Sequence, residues 1–356
     1  MKGYKLIPDD LAKFNFGTHS GVISEFFSSD KLFSAIINNL SLIYSNEVVE
    51  KVINTFSSSQ SISSLCYGLD IIDNKTGVKK RTLYFLPKPK AVIMPINVKE
   101  RDLSSIKGSK KVNWVSLAAF QEIIDNWDPD TSSINYNFSR LTLIGNKFAC
   151  LSDEIQELNI SATELNDLNF INMDSRPRLK MERFTDESID YYDQEEMEVR
   201  QQKTDNYYFL PFMYFLLKGE NCKEFDAAIR LIPDEGLGGK RSLGMGVFNS
   251  IEEFDCSDFL AQNENGSYYI SLSCVYPQKT EVNELISYEL DNRNGYVYSG
   301  AGRSYRKKSI RVIKEGSVFK RKIEGQVADI TPEAFGKHRI YLNGKAFTIP
   351  IGRGNS

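Results

Sequence analysis

The stretch Gly236-Leu237-Gly238-Gly239-Lys240-Arg241-Ser242-Leu243-Gly244-Met245-Gly246 puts five glycines and two cations into eleven residues. A glycine inside a helix or strand costs about 0.5–1 kcal/mol relative to alanine, so such a density belongs to a loop that needs positive φ or a close backbone approach. Lys240, Arg241 and Ser242, beside the N–H groups of a glycine loop, suit an anion and above all a phosphate. The spacing is not that of a P-loop, which would require glycine at Asp234 and Ser or Thr at Arg241. Nor is it a dinucleotide fingerprint, because Ala227 to Pro233 reads as a helix and a Rossmann glycine loop follows a strand. Gly236, Gly238, Gly239, Lys240, Arg241, Ser242, Gly244 and Gly246 are therefore candidate phosphate contacts. A plain surface loop is the competing reading.

The rest of the chain must hold that loop in place. At 356 residues, with 41% hydrophobic and 12% aromatic content, it is long enough for two packed domains. The longest dense apolar run, Phe209 to Leu217, is too short to span a bilayer and contains Pro211. The start Met1-Lys2-Gly3-Tyr4 lacks a signal peptide's apolar core, so a cytoplasmic location is expected, with no membrane partner. Cys66, Cys150, Cys222, Cys256 and Cys274 show no C-x-x-C pair and read as reduced, mostly buried thiols. With only His19 and His338 for histidines, neither a metal site nor a cofactor is expected.

The formal charge of −3 hides two poles. Ser299 to Lys322 carries nine cations, Arg303 to Lys322, against the single acid Glu315. Asp186 to Glu198 carries seven acids and no base, the pattern of a solvated face. The basic segment fits either a polyanion contact or charge guarding an edge strand.

Residues 2–8 open as a strand. Ser28-Ser29-Asp30 is an N-cap cluster, with Asp30 the expected cap, ahead of a helix whose Leu32, Phe33, Ile36, Ile37, Leu40 and Ile43 share one face. A second helix over Glu47–Phe56 precedes a strand to Asp73, a turn at Asp73–Gly77 and a returning strand Lys80–Leu86. Strand, helix, strand, turn, strand begins a ferredoxin-like unit. From Pro87 to about Gln202 the pattern loosens into an elaboration. Asn206–Lys218, a helix over Glu220–Ile232 and later strand-like pieces begin a second pass. The expectation is an α+β protein of two ferredoxin-like (RRM-like) domains. The first is 1–202, with inserted segments at about 87–200; the second is 203–356, with the glycine loop at 236–246.

Three pieces together carry a resemblance: Phe14-Asn15-Phe16-Gly17 with Ser29-Asp30-Lys31-Leu32-Phe33-Ser34-Ala35-Ile36; the glycine loop; and Lys314–Phe319, His338, Tyr341–Phe347 and Ile349–Ile351. In that order they resemble the RAMP superfamily of CRISPR RNA-binding proteins, and within it the subunit-four family of the type III-A Csm complex, related to the Cas-five group. The resemblance implies a non-catalytic subunit that holds the 5′ repeat-derived handle of the crRNA. Its implied partners are the large polymerase-like signature subunit and the adjacent backbone RAMP subunit. It also implies RNA contacts around the first helix, at His19, Ser29 and Lys31, and from Arg140, Arg178 and Arg183 in the elaboration, where relatives place a thumb-like hairpin. Structural salt bridges are the alternative for each arginine. The family has histidine where this chain has Asn15, which weakens any catalytic role for that loop. Two other readings stay open: a RAMP endoribonuclease that processes CRISPR precursor RNA with His19 as its base, and a protein–protein interaction module without direct RNA contact.

Overall fold

The computed structural model describes residues 1–17, 23–96, 111–182, 188–256, 259, 267–297 and 305–351. Its principal sheet is assembled from pieces far apart in the chain. Strand β1 (Lys2–Ile7) leads through helices α1 (Ser29–Ile43) and α2 (Asn46–Ser59) to β2 (Cys66–Asp73), which turns back into β3 (Lys79–Pro87). More than a hundred residues later come β4 (Tyr207–Lys218), helix α3 (Lys223–Arg230) and β5 (Ser250–Asp255). The strands lie in the order β3-β2-β4-β1-β5, every adjacent pair antiparallel.

Helix α1 forms where expected, because Leu32, Phe33, Ile36 and Leu40 recur at helical spacing and all four are buried. Phe33, Phe56 of α2 and Phe225 of α3 meet as a ring cluster, with centroids 4.6 Å apart for Phe33–Phe56 and 5.5 Å for Phe56–Phe225. Tyr4 of β1 points to this helical face, its hydroxyl donating to Asp226 Oδ1 at 2.9 Å. On the opposite face the buried Lys5 ammonium donates to Asp70 Oδ2 at 2.6 Å and lies 4.0 Å from the Phe212 ring centroid. Tyr84, Tyr214, Phe254 and Phe259 continue that aromatic face.

The elaboration extends this sheet and projects from it. Trp114–Ser116 pairs with β3, Phe148–Leu151 pairs with Trp114–Ser116, and Leu141–Ile144 forms the edge. A long hairpin, Ile171–Met181 against Ser188–Val199, adds the short strand Ala12–Phe14 on its inner side. Beyond β5, Tyr268–Ser271 lies between Val318–Phe319 and Thr348–Ile351, with Leu285–Ser287 outermost. Two further strand pairs are Leu290–Arg293 with Ile310–Ile313, and Gly325–Asp329 with Tyr341–Lys345.

The sheet does not stop at 202/203, because β4 inserts between β1 and β2, with Leu6 opposite Met213 and Leu69 opposite Pro211. The strands β4 and β5, expected in a second domain, thus share one sheet with β1, β2 and β3. Among the described residues of 267–351 there are strands and one 3₁₀ segment, Lys279–Glu284, and helix α1 packs against Tyr341–Lys345. Among the described residues no helix is long and apolar enough to cross a membrane. Cys66, Cys150, Cys256 and Cys274 are buried, Cys222 is half-buried, and all five are unpaired.

Gly68 of β2 sits across from Phe212, and a Cβ built there would lie 2.1 Å from that ring. Gly68→Ala is expected to destabilise the protein by about 1–3 kcal/mol through overpacking, read as a lower thermal or urea midpoint.

Candidate nucleic-acid interface

The glycine loop leaves the short helical turn Ile232–Glu235 and is fastened to the segment after β1. Gly239 N–H donates to the Asn15 carbonyl at 2.8 Å, Gly246 N–H to the Lys13 carbonyl at 2.7 Å, and Leu237 N–H to the Gly246 carbonyl at 2.8 Å. Two positions need glycine outright. Gly238, at φ 94°, would place a Cβ 2.6 Å from the Asn15 carbonyl oxygen, and Gly246, at φ 84°, would place one 2.2 Å from that of Leu237. Several of the loop's N–H groups are thereby spent internally. Among the described residues, the N–H groups of Lys240, Arg241 and Ser242 make no internal hydrogen bond. They sit at the head of a one-turn 3₁₀ segment entered through Lys240, itself left-handed at φ 59°.

The side chains separate in the same way. Lys240 and Ser242 are exposed, and among the described residues Lys240 makes no ion pair. Arg241 Nη1 donates to the Glu235 carbonyl at 3.2 Å and lies 3.8 Å from Glu235 Oε2. Both partners are partly exposed, so this pair contributes at most about 1 kcal/mol and leaves the guanidinium able to turn to another anion.

Beside the loop, between α1 and the C-terminal strands, lies a cleft of about 430 Å³. Gly236, Gly238, Gly239 and Arg241 form one wall, Lys31 and Asn38 of α1 the floor, and Arg293, Lys307 and Tyr341 the far side. Lys31 Nζ donates to the Gly17 carbonyl at 2.8 Å. Burial pushes the ammonium pKa values of both Lys31 and Lys307 down, because neither has enough counter-charge to replace lost water. An anion in the cleft would supply it.

Below the cleft is a buried charge assembly. Arg293 Nε donates to Asp30 Oδ2 at 2.7 Å, its Nη2 to Ser28 Oγ at 3.1 Å, and its Nη1 to Asp291. Burial works against the Arg293 charge, but Asp30 outweighs it and holds the guanidinium firmly protonated. Contrary to the sequence expectation, Asp30 therefore does not cap α1; the N-cap is Ser28, whose own hydroxyl donates to Asp30. Ser29 is fully buried rather than a ligand contact. Its N–H donates to Ser64 Oγ at 2.8 Å, and its hydroxyl accepts from Cys274 N–H at 3.1 Å.

The remaining candidates scatter. Arg140 is held by Glu122 at 2.6 Å and Asp153 at 3.7 Å, away from the cleft. Arg178 lies on the long hairpin and lines a shallow recess with Lys13, Leu243 and Gly244, on the outer flank of the loop. Gly244 is exposed there, with nothing within 4 Å of where a Cβ would stand. His19 and Arg183 lie outside the described residues. The acidic run is not a simple solvated face. Glu196 is 1% exposed and held by Lys13 and Arg176 at 2.6 Å each, and Glu195 accepts the Ile23 N–H at 2.9 Å. Sequence reasoning missed Arg293, which has no local motif, and did not single out Lys307 from its basic neighbours.

With this geometry in view, the likenesses to known proteins are specific. The family profile of the CRISPR Csm4 C-terminal domain matches residues 264–351. The CRISPR system protein Csm4 of Methanocaldococcus jannaschii is 29% identical over 99% of this chain and 98% of its own length. That of Thermococcus onnurineus is 25% identical over 91% of this chain and 90% of its own. A crystal structure of a Csm3-Csm4 subcomplex from a type III-A CRISPR-Cas interference complex aligns with a TM-score of 0.66 at 24% identity, covering 99% of both chains. A Csm1-Csm4 cassette in complex with pppApA aligns at 0.53 and 18% identity, covering 100% of this chain and 99% of the other. Residues 264–351 thus match the Csm4 C-terminal domain, and the chain over nearly its whole length is similar to Csm4 proteins of CRISPR systems.

Asp30→Asn leaves Arg293 buried without its main counter-charge and is expected to cost about 3–5 kcal/mol of stability in denaturant titration. Glu315, 7% exposed and accepting only the Ser64 hydroxyl from a side chain, has its pKa raised above the ordinary 4.5 by burial. The folded state therefore holds the proton more tightly than the unfolded one. The stabilising contribution is present below the ordinary value and lost as pH rises through the raised one. Glu315→Gln is expected to flatten that decline, so the variant gains on the wild type as the pH of a thermal melt is raised.

Proposed function

We propose that this chain is a non-catalytic crRNA-binding subunit of a type III-A Csm complex, and that its cleft seats the ribose-phosphate backbone of the 5′ repeat-derived handle. The observation that carries the reading is the convergence of Arg241, Lys31, Arg293 and Lys307 on one cleft, with the unpaired N–H groups at Lys240–Ser242 on its rim. Lys240 and Arg241 engage phosphates from the loop side, Lys31 and Lys307 from the α1 side. Arg293 is pinned by Asp30 and acts as a fixed positive wall. Such a surface binds by charge and by backbone amides, which is how a strand end is held in one register without being cut.

On this reading, β1, β2, β4 and β5 with α1 and α3 form a ferredoxin-like (RRM-like) unit, and residues 267–351 form a second, strand-built unit that closes the cleft. The chain assembles with a large signature subunit and a backbone subunit, as its relatives do in the Csm1-Csm4 cassette and the Csm3-Csm4 subcomplex.

The test is the salt dependence of RNA binding. Each lost phosphate contact on single-stranded RNA lowers the slope of log K against log[salt] by about 0.7. Lys240→Gly combined with Arg241→Gln is expected to weaken binding and reduce that slope by about 1 to 1.5 for two contacts. The glycine also relieves the left-handed backbone at 240, which offsets its entropic cost to within about 1 kcal/mol, so the melting temperature stays near that of the wild type. An unchanged slope would remove the loop from the site.

A further inference from the structure

We propose that a second pocket, directly across Lys31 and Arg293 from the first cleft, seats one unstacked nucleotide of the same RNA strand, base inward. This rests on the reading above and adds a base-reading site to a backbone-holding one. The pocket is about 600 Å³, within the roughly 300–1,000 Å³ of small-ligand sites. It is walled by the Ser24–Ser28 segment, by Pro87–Lys90 with Asn113, and by Asp291–Asn294 with Glu315. Lys31, Arg293 and Asn294 line both cavities, so a strand leaving the cleft over Lys31 enters the pocket without a gap.

Its chemistry separates a base end from a phosphate end. Phe26 lines the pocket with Trp114 stacked against it, centroids 4.5 Å apart at 19°, so a base laid on Phe26 would continue an existing stack. The side-chain amides of Asn113 and Asn292 make no hydrogen bond among the described residues and offer both donors and an acceptor to a base edge. Lys31, which lines both cavities, supplies positive charge on the cleft side, where the sugar-phosphate would lie, beside Arg293 held by Asp30 and Asp291. Lys90 and Lys314 add less, because both are paired with Glu289, at 3.2 and 3.3 Å. Planar apolar surface, unpaired amides and cations in one recess describe a nucleotide better than an acidic peptide, which would leave the amides and Phe26 unused.

The experiment uses the full chain and the RNA that copurifies with it, resynthesised with a single abasic site at successive positions from the 5′ end. Wild-type protein is expected to lose about tenfold or more in affinity at one position, the one whose base enters the pocket. Asn113→Ala removes only a surface amide, and Phe26→Leu keeps an apolar neighbour for Trp114. Each is expected to weaken binding of intact RNA several-fold, with an unchanged salt slope, and to show little further loss at that same abasic position. A flat abasic series, or variant losses that add in full to the abasic loss, would overturn the proposal. So would simultaneous binding of intact RNA and a free nucleoside monophosphate in this pocket. If the Lys240/Arg241 slope test succeeds while the abasic series is flat, the second pocket alone fails. If the slope test fails, the backbone reading fails first.

Discussion

The buried contact between Asp30 and Arg293 is the constraint on which the rest of this architecture depends. Asp30 opens the first helix of the principal sheet's unit, and Arg293 ends a strand of the C-terminal portion, 263 residues later. A buried ion pair is weak as a source of stability, since desolvation consumes most of its attraction, but breaking one half is severe. Such a pair therefore specifies a geometry more than it strengthens one. Around it, Ser29 bonds the Cys274 amide and Ser64 bonds Glu315, so the head of α1 and the segment before β2 are stitched to the C-terminal portion by side-chain contacts. Both cavities open on either side of this seam.

That placement explains why the cleft is positive although the whole chain is slightly negative. The acids near it are already engaged: Asp30 and Asp291 face Arg293, and Glu235 sits on the far side of Arg241. Two acids of the long hairpin are committed as well, Glu196 to Lys13 and Arg176, Glu195 to the backbone at Ile23. Cations with no full partner remain, and burial without compensation lowers the pKa of Lys31 and Lys307. The field that an RNA would meet is the remainder after internal pairing.

Local features were legible in the sequence, and distant pairings were not. Helices α1 and α2 and the β2–β3 hairpin follow from apolar spacing and turn residues and appear within a few residues of expectation. The glycine loop was recognisable because its backbone demands are local, and Gly238 and Gly246 do occupy conformations closed to other residues. The strand order was not legible because nothing in Tyr207–Lys218 says that it belongs between strands two hundred and one hundred and forty residues upstream; an apolar strand pairs with any neighbour of matching pattern. Asp30 was misjudged for a related reason: a carboxylate at a helix start reads as a cap, yet a buried guanidinium from elsewhere outbids the backbone amides.

The threading of β4 between β1 and β2 has a consequence for biosynthesis. Until Tyr207 leaves the ribosome, both of those strands present bare hydrogen-bonding edges, and the ring cluster under α1 lacks Phe225. Pairings so distant in sequence form slowly, and an unpaired apolar edge invites association with other chains. The nascent polypeptide thus passes through a long interval in which its central sheet is missing its middle, and in which a waiting chaperone or assembly partner would find the most to hold.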